Sequence, residues 1–339
     1  MKCDRCKKKS VIVLPYGPHY FCKEHFSQFF EKRVRKTIRL NKLIPYGEKI
    51  AIGVSGGKDS MLTLHLLNKI FKNKNKIEAI TIDEGIKGYR NKAIELVENY
   101  CKINKIKLHK PTFEETFNTT MDKIMKKINS NEKLGSSCSY CGVFRRELLN
   151  RKALEIKANK IATGHNLDDE TQSIVMSFFN HDLTRLARLG EIAGIKKYSK
   201  FVLRIKPLYN TPEKEIIAYC SFHSIPYYLH ECCPYSWMAK RNHYRQALNE
   251  LEDNIPGTKH SIIASFQELK PVLVKKEQEK SGKIKNCKKC GNITNTDYCA
   301  VCRQLEKIKK SKPSKQKTRS AKKKSNLTCT ETKRLNPNN

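Results

Sequence analysis

Between Lys49 and about Pro212 the chain alternates short apolar runs with longer stretches whose apolar positions recur every three to four residues. Ile50 to Val54, Ile77 to Ile82 and Lys160 to Thr163 are runs of the first kind. Ser60 to Phe71, Asn91 to Asn104 and Val143 to Ala158 are of the second. Side chains repeat every two residues along a strand and about every 3.6 along a helix, so the segments read as alternating strands and helices. That order predicts an α/β fold, a parallel sheet with helices on both faces. Such sheets bind ligands beyond the carboxyl ends of their strands. Polar clusters stand at those ends: Ser55 onward, Asp83-Glu84, and Gly164-His165-Asn166-Leu167-Asp168-Asp169. Asp83 and Glu84 are placed to face a nucleoside. Asp168 and Asp169 bind magnesium, or seat the loop, or cap the helix expected from Glu170 to Phe179, because Asp is favoured there. His165 has a similar choice between a site role and a structural one.

The flanks follow other patterns. Residues 1–30 hold an expected hairpin, Val11-Ile12-Val13 against Tyr20-Phe21 with Pro15, Gly17 and Pro18 at its turn, and a basic helix follows from Phe26 to Leu40. Residues 31–212 contain the α/β domain and 213–280 read as its mainly helical extension. In that extension Lys240-Arg241-Asn242-His243-Tyr244-Arg245 interleaves cations with an aromatic ring, which suits RNA phosphate contacts and base stacking, or a solvated helix face. Residues 281–306 form a second cysteine-rich module. From Lys307 to Lys324 every charged residue is basic, and 307–339 is expected to be a disordered, RNA-attracting tail.

The first strand-to-helix junction, Ser55-Gly56-Gly57-Lys58-Asp59-Ser60, is the most informative segment. Two glycines let backbone N–H groups converge on an anion, and the next helix points its positive dipole end at the same place. Lys58 adds a mobile positive charge. A carboxylate beside bound phosphate is repulsive unless it holds a divalent cation or a catalytic network, so Asp59 points to a nucleotide bound with Mg2+. The spacing excludes the G-x-x-x-x-G-K-[ST] and G-x-G-x-x-G loops.

Composition sharpens this picture. The 339 residues include 68 Lys plus Arg and 33 Asp plus Glu, a formal charge of +35. A field of that sign attracts polyanions, usually nucleic acid, although part of the excess is lysine spread over solvated surface. No apolar run reaches about 18 residues and Met1 to Cys6 opens no signal peptide, so a cytoplasmic protein without a membrane partner is expected. Its 14 cysteines are then reduced thiols available for metals.

Cys3-x-x-Cys6 with Cys22-x-x-His25, and Cys287-x-x-Cys290 with Cys299-x-x-Cys302, each offer four soft ligands in two knuckles, the pattern of a closed tetrahedral zinc site. Full ligand sets leave no open coordination position, so both modules are expected to be scaffolds or RNA-docking units. Cys138-Ser139-Tyr140-Cys141 lacks a nearby second pair and needs a distant partner, Cys232 or Cys233 in Glu231-Cys232-Cys233-Pro234-Tyr235. Three thiolates suit an iron–sulfur cluster with one iron open to a labile sulfur. A redox CxxC cycling through a disulfide or persulfide and a partial third zinc site are the competing readings. Cys101 and Cys220 belong to apolar stretches and are expected in the core, and Cys329 has no assigned role.

The Ser55 to Ser60 segment resembles the SGGxDS loop of the N-type ATP pyrophosphatases. Taken with both zinc modules, GSSCSYCGVFRR at Gly135 to Arg146, TGHNLDDE at Thr163 to Glu170 and CPYS at Cys233 to Ser236, the chain from Met1 to about Glu306 resembles the tRNA 2-thiouridine synthetases of the TtuA/NcsA type. The resemblance implies an adenine nucleotide alpha hydrolase-like fold flanked by N- and C-terminal zinc fingers. It implies an ATP-dependent tRNA-uridine 2-sulfurtransferase: ATP adenylates the 2-keto oxygen of a tRNA uridine, pyrophosphate leaves, and sulfur displaces AMP. On the family pattern Ser55, Gly56, Gly57, Asp59 and Ser60 hold phosphates, and Lys58 stabilises the departing pyrophosphate. Asp83 lies near the adenosine, and the Thr163 to Glu170 motif adds Gly164, His165, Asp168 and Asp169 to the nucleotide site. Cys138, Cys141 and Cys233 ligate a [4Fe-4S] cluster, so the catalytic set is Lys58, Asp59 and those three thiols. The implied cofactors are ATP, Mg2+, two Zn2+ and the cluster. The implied partner is tRNA, with a homodimer by analogy and free sulfide or a ubiquitin-like sulfur-carrier protein as donor. The family has one cysteine before Pro-Tyr where this chain has Cys232 and Cys233; Cys233 is chosen for its place before Pro234. The lysine-rich tail is an extension. Alternatives are another tRNA modifier with this loop, a cytidine thiolase or a lysidine synthetase, and a non-catalytic zinc-ribbon RNA-binding protein. Cys138 and Cys141 argue against the lysidine synthetase, and intact Lys58, Asp59 and Ser60 against the non-catalytic reading.

Overall fold

The computed structural model describes residues 1–17, 19–194, 200–229, 233–280 and 285–311. A hairpin of β1 (Ile12–Leu14) and β2 (His19–Phe21) leads into α1 (Lys23–Leu40). Then come β3 (Lys49–Gly53), α2 (Lys58–Phe71), β4 (Lys76–Ile80), α3 (Arg90–Ile103), β5 (Lys107–His109), α4 (Phe113–Phe117), α5 (Met121–Ser130) and α6 (Ser137–Glu155). These are followed by β6 (Lys160–Ala162), α7 (Leu167–Phe179), α8 (Leu183–Leu186), β7 (Ile192–Ala193) and β8 (Leu203–Ile205). The helices α9 (Glu213–Phe222), α10 (Arg241–Asn254) and α11 (Thr258–Lys280) precede a last module of β9 (Lys285–Asn286), β10 (Ile293–Thr294) and α12 (Ala300–Lys310).

The central sheet has the order β5-β4-β3-β6-β8-β7. It is the expected parallel sheet with one addition, the two-residue edge strand β7, antiparallel to β8. Period two divides β3 between two cores. Ile50 and Ile52 face Phe30 and Val34 of α1, Leu62 and Leu66 of α2, Val97 of α3 and Ile216 of α9. Ala51 faces the other way, with Ile161, toward Phe113 of α4, Ile124 of α5 and Phe144 of α6. Each such buried Leu, Ile or Phe contributes about 1.5–3 kcal/mol, so helices do cover both faces for a physical reason. The chain passes from β3 to β4 and β5 on one side and to β6 and β8 on the other. Strand order therefore reverses between β3 and β6, where a crevice opens at the carboxyl ends.

Most helices begin earlier than their apolar pattern does. The largest difference is α6, expected from Val143 and found from Ser137, which puts Cys138 and Cys141 in its first turns. Gly142 costs about 1 kcal/mol in a helix and breaks the period, but the buried ring of Tyr140 holds the turn in place. The extension is helical as expected, and α9 is continuous with the main core, Tyr219 stacking on Phe30 at 4.5 Å. Lys307, Lys309 and Lys310, expected in a disordered tail, are helical because Ile308 is buried. The rest of the tail with Cys329, and Cys232, Glu231 and Pro18, lie outside the described residues. Cys101 and Cys220 are in the core as expected. No helix among the described residues is long and apolar enough to cross a membrane.

Candidate active site

The loop leaving β3 turns at Gly56 with φ +88°, a left-handed conformation that favours glycine. A Cβ on Gly56 would stand 2.9 Å from the Ala93 carbonyl oxygen of α3, and one on Gly164, after β6, would stand 2.7 Å from the Ser60 nitrogen. Glycine at both places lets the two strand ends meet across the crevice. Inside the loop, Ser60 Oγ accepts from the Ser55 N–H at 3.0 Å and donates to the Gly57 carbonyl at 2.9 Å. Arg90 of α3 donates to the Ser55 carbonyl at 2.5 Å, the Ile82 carbonyl at 2.8 Å and Thr81 Oγ1 at 2.8 Å. A trans peptide points its carbonyl and its N–H in opposite directions. Arg90 therefore turns the Gly56 N–H away from itself, fixing one donor of the cradle.

Lys58 pairs with Asp59 at 3.2 Å and with Glu213, the first residue of α9. Burial opposes charge on Lys58, but Asp59 and Glu213 outweigh it and hold the ammonium well above the ordinary lysine range. Asp59 accepts from Asn166 Nδ2 at 3.0 Å. Burial, aided by Asp169 and Glu213 and opposed by Lys58, pushes the Asp59 carboxyl up to about 6. Asp59 and Glu213 share Lys58 as a partner and offer oxygen donors of the kind a hard divalent cation takes.

Both oxygens of Asp168 are engaged, one with buried Lys259 and the other with the Glu213 N–H at 2.7 Å. Of the readings for this pair, Asp168 seats the loop's neighbours, while Asp169 completes a capping box whose N-cap is Asn166 and also pairs with Arg241 at 3.1 Å. His165 Nδ1 and Thr163 Oγ1 are 2.9 Å apart at the end of β6. Asp83 accepts from the Gly85 N–H at 2.8 Å. Glu84 corrects an expectation: it does not face a nucleoside but is buried, ion-paired with Arg90 at 2.8 Å and Arg145 at 3.2 Å. Arg241 corrects another, since it turns inward to Asp169 and Ser173 rather than outward to phosphate.

The thiols lie on the far side of that Glu84 pair. Cys138 is exposed, and Cys141 and Cys233 are half-buried. Burial pushes the Cys141 thiol up to about 12 against the pull of Arg145, with Glu84, Cys233 and Cys138 adding to the rise. Burial raises Cys233 too. The Cys233 segment is tied down by Tyr235, whose hydroxyl donates to Asp122 at 2.6 Å and whose carbonyl accepts from Ser137 of α6 at 3.4 Å. Upstream, the Tyr228 N–H donates to the Gly56 carbonyl at 2.9 Å. A chain spans at most about 3.6 Å per residue, which keeps the Cα of Cys233 within about 18 Å of Tyr228.

The metal sets fit their expected ions. In each of Cys3, Cys6, Cys22, His25 and Cys287, Cys290, Cys299, Cys302, all ligand atoms lie within 4.8 Å of one another. Zn–S bonds of about 2.3 Å at tetrahedral angles separate sulfurs by about 3.8 Å. Cys6 and Cys22 are 3.8 Å apart, and Cys290 and Cys299 3.6 Å. Cys138, Cys141 and Cys233 form no group that tight among the described residues.

Residues 27–252 match the PP-loop domain family and residues 284–303 the RecR zinc finger domain, a finger of the four-cysteine type. The chain is 38% identical over 323 residues to the tRNA 2-thiolation protein NcsA of Haloferax volcanii, covering 91% of this chain and 99% of that one. It is 34% identical over 303 residues to the tRNA-5-methyluridine(54) 2-sulfurtransferase of Pyrococcus horikoshii, covering 89% and 93%. Among solved structures it is similar to the U34-tRNA thiolase NcsA from Methanococcus maripaludis with its [4Fe-4S] cluster, at a TM-score of 0.77 and 34% identity, covering 91% and 96%.

Proposed function

This chain belongs to the PP-loop family of tRNA 2-thiolation proteins, and from that premise we propose that the crevice between β3 and β6 activates a tRNA uridine with ATP while Cys138, Cys141 and Cys233 serve the sulfur that replaces its oxygen. The uridine O2 attacks the α-phosphorus; an O–P bond forms and the bond to pyrophosphate breaks. Sulfide sulfur then adds to C2, the C2–O bond breaks, and AMP leaves carrying the former uridine oxygen, with no change of oxidation state. Activation is needed because a carbonyl oxygen is a poor leaving group and AMP a good one.

Electrostatic support of the phosphoryl charge is the main demand. The Gly56 and Gly57 N–H groups with Ser55 and Ser60 cradle the pyrophosphate, and Lys58 stabilises its charge as it departs. Asp59, with Asp169 and Glu213 on the same side of the loop, would hold Mg2+, which would offset the charge of the phosphates. Gly164 and His165 floor the nucleotide site, Asp168 fixes Glu213, and Asp83 stands toward the adenosine. Cys138, Cys141 and Cys233 would hold a [4Fe-4S] cluster, which would supply an iron open to an exchangeable sulfur. The observation carrying this reading is the Tyr228–Gly56 hydrogen bond, because it ties the segment bearing Cys233 to the phosphate loop. The same proposal includes a cytoplasmic setting, a homodimer, tested by light scattering for twice the chain mass, and a ubiquitin-like sulfur carrier, tested by whether its thiocarboxylate replaces sulfide.

Uridine labelled with 18O at O2 within tRNA tests the chemistry. AMP gaining one 18O, with 2-thiouridine in the tRNA, is the expected result. Unlabelled AMP would overturn adenylation of that oxygen, and a thiolated cytidine would favour the rival enzyme reading.

A further inference from the structure

Phosphate loop and thiols are joined by three charged side chains: Arg90, which fixes a donor of the cradle, and Glu84 and Arg145, which belong to neither the cradle nor the ligand set. Arg90, whose side chain is 4% exposed, holds the Ser55 carbonyl and pairs with Glu84 at 2.8 Å. Glu84, 5% exposed, pairs through its other oxygen with Arg145 at 3.2 Å. Arg145 follows Cys141 by four residues on α6, one turn along the same helix face. The Glu84 carbonyl also accepts from the Met121 N–H at 2.8 Å, so its backbone is anchored. A carboxylate buried between two guanidiniums feels both, since each offsets part of the cost of burying its charge. A shift of the Ser55 peptide would be felt at Arg90, and the ion pairs of Glu84 with Arg90 and Arg145 are the route by which it would reach the thiol turn.

We propose that Glu84 is a positioning residue that couples the halves of the site: nucleotide in the loop and the sulfur centre on the thiols alter each other's binding through Arg90, Glu84 and Arg145. This rests on the function proposed above and adds regulation within it. Linkage makes the effect reciprocal, and coupling of this kind typically spans about 5- to 150-fold in affinity.

Calorimetry of a non-hydrolysable ATP analogue with Mg2+ on cluster-free chain and on anaerobically reconstituted holoprotein reads the coupling directly. The wild type is expected to show an affinity ratio of about fivefold or more between the two forms. Glu84→Gln and Arg145→Ala are expected to bring that ratio close to one while keeping full iron content. In parallel, the analogue shifts the electron paramagnetic resonance spectrum of the reduced wild-type holoprotein and leaves both variants unshifted. Arg145 is 45% exposed, so its variant carries the test should Glu84→Gln fail to fold. A wild-type ratio of one, or variants that keep the wild-type ratio and spectral shift, would overturn the coupling while leaving thiolation intact. A holoprotein that binds no nucleotide would overturn the proposed function and this inference with it.

Discussion

Two zinc modules with four ligands each stand behind opposite halves of the crevice, and they are attached by different physics. The N-terminal module is welded into the main core: Phe21, Phe26 and Phe30 are buried, and Tyr16 and Arg33 converge on buried Glu215 of α9, Arg33 at 2.9 Å. That helix begins with Glu213, the partner of Lys58. The C-terminal module backs α6 instead, burying Val301 and Ile308 in the core that contains Tyr140 and Leu134. Gln304 donates to the Ser139 carbonyl at 3.2 Å, inside the CxxC turn itself. Equal ligand counts therefore conceal unequal duties: one module braces the phosphate loop, the other the thiol turn.

The sharpest way to break this contrast is to remove one ligand from each module. Cys6→Ser is expected to lower the melting temperature by more than about 10 °C and to abolish pyrophosphate release, because zinc binding is folding free energy for the element it closes. Cys290→Ser is expected to lose one zinc and most of the iron while keeping tRNA-dependent pyrophosphate release. Metal analysis beside calorimetry reads both, and equal damage from the two variants would erase the distinction.

Arg33→Ala tests the weld without touching zinc. It strands the buried Glu215 charge, at a cost of about 3–5 kcal/mol, and the melting temperature is expected to fall while iron content stays unchanged.

Asp59→Asn separates stability from function within the loop. A folded carboxyl pKa of about 6 against an ordinary 3.8 means that Asp59 favours folding fully below about pH 4 and loses that contribution as pH rises through 6. The neutral variant is therefore expected to melt higher than wild type at pH 7.5 without nucleotide, by up to about 3 kcal/mol of stability, yet to release no pyrophosphate. Wild-type activity is expected to fall as pH drops below about 6 and Asp59 takes up a proton. A variant less stable than wild type at pH 7.5 would contradict the burial argument.

The smallest effect concerns the core thiols. Burial raises Cys101 to about 11 and Cys220 to about 12. Iodoacetamide at pH 8 is expected to leave both unmodified in folded protein and to label exposed Cys138 in the cluster-free chain, as peptide mass spectrometry would show.

What was legible in the sequence was local. The strand, loop and helix from Ile50 to Phe71 and the knuckle spacings of both zinc sets carry their signal within a few residues of one another. The strands β5, β7 and β8 have two or three residues each, too few to display a period. The start of α6 was hidden by Gly142. Arg90, Glu213 and Lys259 gave no signal, because each acts through a partner distant in the chain: Arg90 and Ser55 lie 35 residues apart, Lys259 and Asp168 91. Asn166, inside the TGHNLDDE motif, was the one within reach, since its position before Leu167-Asp168-Asp169 is that of an N-cap.

On the proposed function, two separately braced halves serve one reaction. Reconstituted Cys141→Ser, given ATP, Mg2+, tRNA and sulfide, tests it most directly when pyrophosphate and 2-thiouridine are quantified in the same sample. The expected result is pyrophosphate release within about threefold of wild type with 2-thiouridine reduced at least about 100-fold. Wild-type levels of 2-thiouridine from that variant, or loss of pyrophosphate release in equal measure, would contradict it.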